Sequence, residues 1–149
     1  NMGKPFEQAK HDVARSVWNF RFFADHQRDH CGEVYPMDSG HHCYSEFGPA
    51  GVVAAISPWN FPLMMASWKI APAIAWGNTC IIKPSEDTPA SVTYLGRLAV
   101  EAGFPPGVLN VLNGHGAPAG SSITGDDRVD RVTFTGSSQT GKPLSLIHI

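Results

Sequence analysis

Three short stretches of this 149-residue chain hold side chains suited to one kind of chemistry. The first is Ser57-Pro58-Trp59-Asn60-Phe61-Pro62. Its two prolines fix φ at both ends of a turn and remove two backbone donors. An amide clamped there beside an aromatic wall can donate to a developing oxyanion. The plain alternative is a turn asparagine bonding its own backbone. The second is Lys83-Pro84-Ser85-Glu86. A lysine and a carboxylate at the end of a strand can hold the two hydroxyls of a ribose. The carboxylate accepts from a 2′-hydroxyl and repels a 2′-phosphate, which favours NAD over NADP. The alternative is a solvated loop ion pair. The third is Phe134-Thr135-Gly136-Ser137, a strand running through small residues into a helix. Free N–H groups and the helix dipole favour an anion there. Gly136 allows close approach and Ser137 adds a hydroxyl; a plain capped helix is the competing reading.

The elements that must position these residues follow from periodicity and punctuation. Gly51–Ile56 is a short apolar run rich in Val and Ile, the signature of a buried strand. Pro62 suits the first position of a helix over Pro62–Ala75, where Pro72 predicts a kink or an early end. Gly77-Asn78 is a helix stop, and Thr79–Ile82 is the next strand. Thr88 as N-cap and Pro89 at N1 open a helix over Pro89–Ala102, buried through Val92, Leu95, Ala99 and Ala102. Val108–Leu112 and Val132–Phe134 are further strands, with a helical turn near Ala117–Ile123 between them and a last helix from about Ser138. Before all of these comes a helix from Gln8 to about Asp25. Its Val13, Val17, Phe20 and Ala24, with Trp18 and Phe22 beside them, predict that much of it is covered. Cys31–Tyr44 is polar and turn-rich, and Tyr44–Phe47 reads as a short strand. Strand–helix alternation gives an α/β fold with a doubly wound parallel sheet. Its polar turns share the carboxyl edge, so Asn60, Lys83 and Glu86 should face one region.

Composition narrows the field. A hydrophobic share of 42% is ordinary for a globular protein, and a net charge of −2 gives no case for nucleic acid or an anionic membrane. No apolar run reaches the length of a membrane span. Cys31, Cys43 and Cys80 are an odd number without a CxxC, which suits reduced thiols in a cytoplasmic setting. Gly136 to Lys142 has P-loop spacing, but Pro143 follows where a Mg²⁺-binding Ser or Thr belongs and should damage the helix. His26, His30, Cys31, His41, His42 and Cys43 form no paired ligand knuckles, so no metal site is expected. The chain opens on Asn1-Met2-Gly3-Lys4 and ends on Pro143–Ile149 without cap or amphipathic pattern. It reads as a piece of a longer protein, with 1–142 a partial domain and 143–149 a foreign tail.

Taken together, Gly3-Lys4-Pro5, Pro58-Trp59-Asn60-Phe61-Pro62, Gly77-Asn78-Thr79, Lys83-Pro84-Ser85-Glu86, Glu101 to Gly107 and Phe134-Thr135-Gly136-Ser137 resemble the aldehyde dehydrogenase superfamily in order and spacing. The resemblance covers nearly all of residues 3–142. It implies an incomplete coenzyme domain with a variant Rossmann sheet, NAD as cofactor, and oxidation of an aldehyde to an acid. By resemblance, Asn60 is the oxyanion-hole amide, and Lys83 and Glu86 hold the adenosine ribose. Ser137, within the Phe134-Thr135-Gly136-Ser137 motif, meets the pyrophosphate. Ile56, Ser57, Pro58 and Trp59 line the cleft, and Gly116 and Gly120 lie near the adenine. Thr140 stands where the family usually has an aliphatic residue beside the coenzyme. The family's nucleophilic cysteine and general-base glutamate lie beyond this chain, and no cysteine here occupies that segment. The expectation is an inactive piece of a cytoplasmic homodimer or homotetramer; the alternative is a truncated, non-catalytic NAD-binding module. Trp18 to Ala24 and Met37-Asp38 are similar to semialdehyde dehydrogenases of the muconic type.

Overall fold

The computed structural model describes residues 1–147. A parallel sheet of four strands carries the fold: β3 (Val52–Ile56), β4 (Thr79–Lys83), β5 (Leu109–Val111) and β6 (Arg131–Phe134), in spatial order β5-β4-β3-β6. The chain runs outward from β3 through α2 (Pro62–Ala75) to β4, then through α3 (Ala90–Glu101) to β5. It then returns past a π-helical turn (Gly116–Gly120) and α4 (Ser121–Thr124) and adds β6 on the other side of β3. Ala54 pairs with Ile81 on one side and Val132 on the other. The direction of winding therefore reverses between β3 and β6, which opens a crevice at their carboxyl ends. Helix α5 (Ser138–Ile147) leaves from that edge.

Small residues set the spacing of the core. Val53, Ala54 and Ala55 of β3 are buried, as expected for a strand covered on both faces. Ala66, Ile70 and Ala73 recur at helical spacing on α2 and, with Cys80, Ile82 and Val92, close over it. Fully burying Ile70 or Ile82 contributes about 1.5–3 kcal/mol each. The early end that was one of the two expected outcomes does not occur: α2 runs on to Ala75 past Pro72. Buried Ala71 and Ala73 flank it, so packing outweighs the one lost hydrogen bond. The Pro72 carbonyl still accepts from the Trp76 N–H at 3.3 Å.

Helix α1 (Phe6–Asp29) is longer than its apolar pattern implied and buries a different face. Its buried residues are Ser16 and Asn19, whereas Val13, Val17, Trp18 and Phe22 stay exposed and only Phe20 reaches the core. The contact with α2 is polar and close. Asn19 Nδ2 donates to Ser67 Oγ at 2.8 Å, and Ser67 Oγ donates to the Met64 carbonyl at 2.7 Å. Both side chains are buried, so Ser67→Ala strands the Asn19 amide. The variant should lose about 1–3 kcal/mol in denaturant unfolding; an unchanged midpoint would show that water satisfies the amide.

Other boundaries move for identifiable reasons. The strand expected at Tyr44–Phe47 is instead β2 (Cys43–Tyr44), paired antiparallel with β1 (Val34–Tyr35) inside the stretch read as turns. Phe47 leaves the ladder and packs at a tilt against His30, with ring centroids 4.4 Å apart. Thr88 does not cap α3; its hydroxyl donates to the Trp59 carbonyl at 3.4 Å. Ala102 is exposed because α3 ends at Glu101. Helix α5 continues through Pro143, although one backbone donor is lost there. Residues 148–149 of the expected tail lie outside the described residues.

Candidate coenzyme cleft

The crevice at the switch point is a cleft of about 730 Å³. Its floor and walls come from the carboxyl ends of three parallel strands, tied together by backbone bonds. The Ser57 N–H donates to the Lys83 carbonyl at 3.1 Å, and the Thr135 N–H donates to the Ile56 carbonyl at 3.1 Å. Ile56, Ser57, Pro58, Trp59 and Asn60 line it from β3 and the following turn. Lys83 and Glu86 line it from the end of β4, Gly116 and Gly120 from the π-helical turn, and Phe134, Thr135, Gly136, Ser137 and Thr140 from β6 and α5. Residues spread over 85 sequence positions thus meet in one place, and Asn60, Lys83 and Glu86 do face one region.

The charged pair is built into the sheet. Lys83 extends β4 by one residue beyond the expected strand and is buried. Its Nζ donates to the Pro84 carbonyl at 2.9 Å and to Glu86 Oε2 at 3.2 Å. Glu86 is more open to solvent, yet its carboxyl is held down at about 2. Its own backbone N–H is the largest cause, the Lys83 ammonium and the Gly116 N–H add to it, and partial desolvation opposes them. A solvated, mobile loop pair does not describe this geometry.

The start of α5 is capped by a residue that also lines the cleft. Ser137 Oγ accepts the Thr140 N–H at 3.3 Å, an N-cap bond, while Ser137 also lines the cleft. The N–H groups of Ser138 and Gln139 have no intrahelical acceptor. Gly136 is required by its neighbour: a Cβ there would stand 2.5 Å from the Phe134 ring. Thr140 bonds Ser137, with their hydroxyl oxygens 3.0 Å apart.

Two residues outside the cleft lining touch residues that line it, and the sequence reading does not find them. Lys69 is the only charged residue of α2, a signal that was available. It is buried, and its Nζ donates to Thr135 Oγ1 at 2.8 Å and Thr133 Oγ1 at 3.2 Å, bracing β6 where it enters the cleft. Burial pushes its pKa down. His115 lies beside Glu86, with Nδ1 3.6 Å from Oε1; nothing in the sequence pairs them.

Three features fit a dinucleotide: an ionised carboxylate for hydroxyls, a helix start for phosphates, and an orphaned donor between them. That donor is the Ser57 hydroxyl, buried in the cleft wall and without a hydrogen-bond partner among the described residues. A ligand polar atom reaching it would satisfy an otherwise costly group. Asn60 is exposed at the mouth, and among the described residues its side chain makes no hydrogen bond. No described group of three His, Cys, Asp or Glu could hold a metal ion, and no described helix is long and apolar enough to cross a membrane.

The cysteines stand apart from the cleft. Cys80 sits in the core of β4, where burial pushes its thiol up to about 12, whereas Cys31 and Cys43 are exposed. An aromatic disulfide reagent should titrate two thiols in the native chain and three in denaturant. Three fast thiols under native conditions would contradict the buried placement of Cys80.

A parallel sheet with this switch point and edge cleft defines an α/β unit of the Rossmann type. The chain belongs to the aldehyde dehydrogenase family, whose sequence model matches residues 1–146. It is 46% identical over 143 residues to retinal dehydrogenase 2 of Homo sapiens, covering 95% of this chain and 28% of that protein. A Bacillus cereus aldehyde dehydrogenase solved as an NAD⁺ complex superposes with a TM-score of 0.94 at 42% identity, covering 97% of this chain and 30% of that one. A glyceraldehyde-3-phosphate dehydrogenase of Methanocaldococcus jannaschii, solved with NADP, gives 0.92 at 36% identity, covering 97% and 32%. The chain therefore spans about three-tenths of the length of these relatives. They lend no support to the muconic semialdehyde resemblance drawn from Trp18 to Ala24 and Met37-Asp38.

Proposed function

We propose that this chain is the coenzyme-binding part of an NAD-dependent aldehyde dehydrogenase that oxidises an aldehyde to a carboxylic acid. The observation that carries the reading is Glu86, ionised against buried Lys83 and facing the same cleft as the start of α5. NAD bound there would supply the hydride acceptor. Lys83 and Glu86 hold the adenosine ribose, and the Ser138 and Gln139 N–H groups with Ser137 meet the pyrophosphate. Ser57 pairs with a polar atom of the ligand. Gly116 and Gly120 leave room for the adenine. Lys69 keeps Thr135 in place, and Trp59 and Ile56 shield the cleft from water. Asn60, with no side-chain partner among the described residues, donates to the aldehyde oxygen as it takes up negative charge.

The nucleophile comes from outside this chain, because Cys80 is buried and Cys31 and Cys43 do not line the cleft. The 149-residue chain alone should therefore produce no NADH from an aldehyde. Three unpaired cysteines fit a reducing, cytoplasmic setting, and the family resemblance supports a homodimeric or homotetrameric parent.

Calorimetry tests the coenzyme reading. The chain should bind NAD more tightly than NADP, and Glu86→Gln should erase most of that preference. Equal affinities in the unaltered chain would reject the role of Glu86. The pH dependence has a definite sign. A carboxyl with a lowered pKa makes its charged contribution fully above the ordinary carboxylate range and loses it only as pH falls through about 2. Glu86 thus stays charged throughout pH 5–8.

A further inference from the structure

The two oxygens of Glu86 have different neighbours. Oε2 takes its hydrogen bond from buried Lys83, while Oε1 faces His115 Nδ1 at 3.6 Å. The His115 side chain is 81% exposed, and the next residue, Gly116, lines the cleft. Its backbone is nevertheless fixed. The His115 carbonyl accepts the Ala119 N–H at 3.0 Å to begin the π-helical turn. Gly114, at φ +155°, precedes it, and a Cβ on Gly114 would come within 2.9 Å of the Ala119 methyl group. The ring is anchored at its Cα and free to turn over the carboxylate.

The geometry points to His115 as a specificity-determining residue: its imidazolium offsets Glu86 and admits a dinucleotide bearing a 2′-phosphate, making the choice between NAD and NADP depend on pH. The inference rests on the coenzyme reading above. With His115 neutral, the Glu86 charge faces the 2′ position and repels a phosphate. With His115 protonated, a positive charge lies beside Glu86 and can donate to it or to the phosphate. NAD carries only a hydroxyl at that position, so its affinity changes little. Histidine is the side chain whose charge ordinarily changes between pH 5 and 8. Lys83, Glu86 and Asp87 are the charged groups on the element facing His115, and its own turn carries none before Asp126. Glu86 keeps its charge in that window.

The 2′-phosphate itself titrates near pH 6, so its contribution must be subtracted. NAD and NADP affinities of the 149-residue chain should be measured by calorimetry at pH 5.5 and pH 8, alongside His115→Gln and His115→Lys. Between pH 8 and pH 5.5, preference for NAD should weaken roughly three- to tenfold more in the unaltered chain than in His115→Gln. His115→Lys should show the weakened preference at both pH values. If His115→Gln tracks the unaltered chain while both keep a Glu86-dependent preference, the inference is overturned and the coenzyme reading stands. If neither dinucleotide binds, both fall.

Discussion

Replacing Asn60 by alanine in the complete enzyme that contains this chain should cut turnover roughly a hundred- to a thousandfold, about 3–4 kcal/mol, with NAD affinity nearly unchanged. In the proposed oxyanion role the amide meets the substrate oxygen only when it carries charge, so its loss would raise the barrier without weakening the ground state. The turn geometry sharpens the expectation. Asn60 is exposed at the mouth of the cleft and, among the described residues, makes no side-chain hydrogen bond. An asparagine serving only its own turn would show such a bond, and its removal would cost stability. Melting temperature, NAD affinity and turnover measured on one preparation separate the two. A variant that melts early yet turns over normally would reject the oxyanion role.

Lys83→Met should weaken NAD binding roughly ten- to hundredfold, the scale of about 1.5–3 kcal/mol for hydrogen bonds to a charged group. Methionine keeps the aliphatic length of this buried side chain, but the Pro84 carbonyl and Glu86 lose a donor, so the melting temperature should also fall and affinity is to be measured on folded protein. NADP binding should weaken alongside NAD if, as proposed, Lys83 serves the ribose rather than the 2′ substituent alone. Glu86→Gln, by contrast, should change the ratio of the two affinities. Unchanged NAD affinity in Lys83→Met would mean that the buried ammonium serves only the Pro84 carbonyl and Glu86.

Local sequence determined much of the scaffold. Apolar run length, Pro62 at a helix start and Gly77-Asn78 at a helix end placed β3 and α2 at their observed bounds, because each signal acts within a few residues. The same logic brought Asn60, Lys83 and Glu86 to one edge, since parallel strands must leave their turns together. Tertiary structure decided what those signals could not reach. The apolar stripe of α1 names the greasy face, but burial needs a partner, and α2 presents Ser67 to Asn19 instead. Val13 and Trp18 are consequently left at the surface. Lys69 could be noticed as a charge in an apolar helix, yet its work on Thr133 and Thr135, more than 60 residues away, exists only once β6 is beside β3. The pairing of His115 with Glu86, 29 positions apart, depends on the path of the chain after β5. Periodicity reports how a residue faces its own helix or strand; only the assembled sheet sets which distant group it meets.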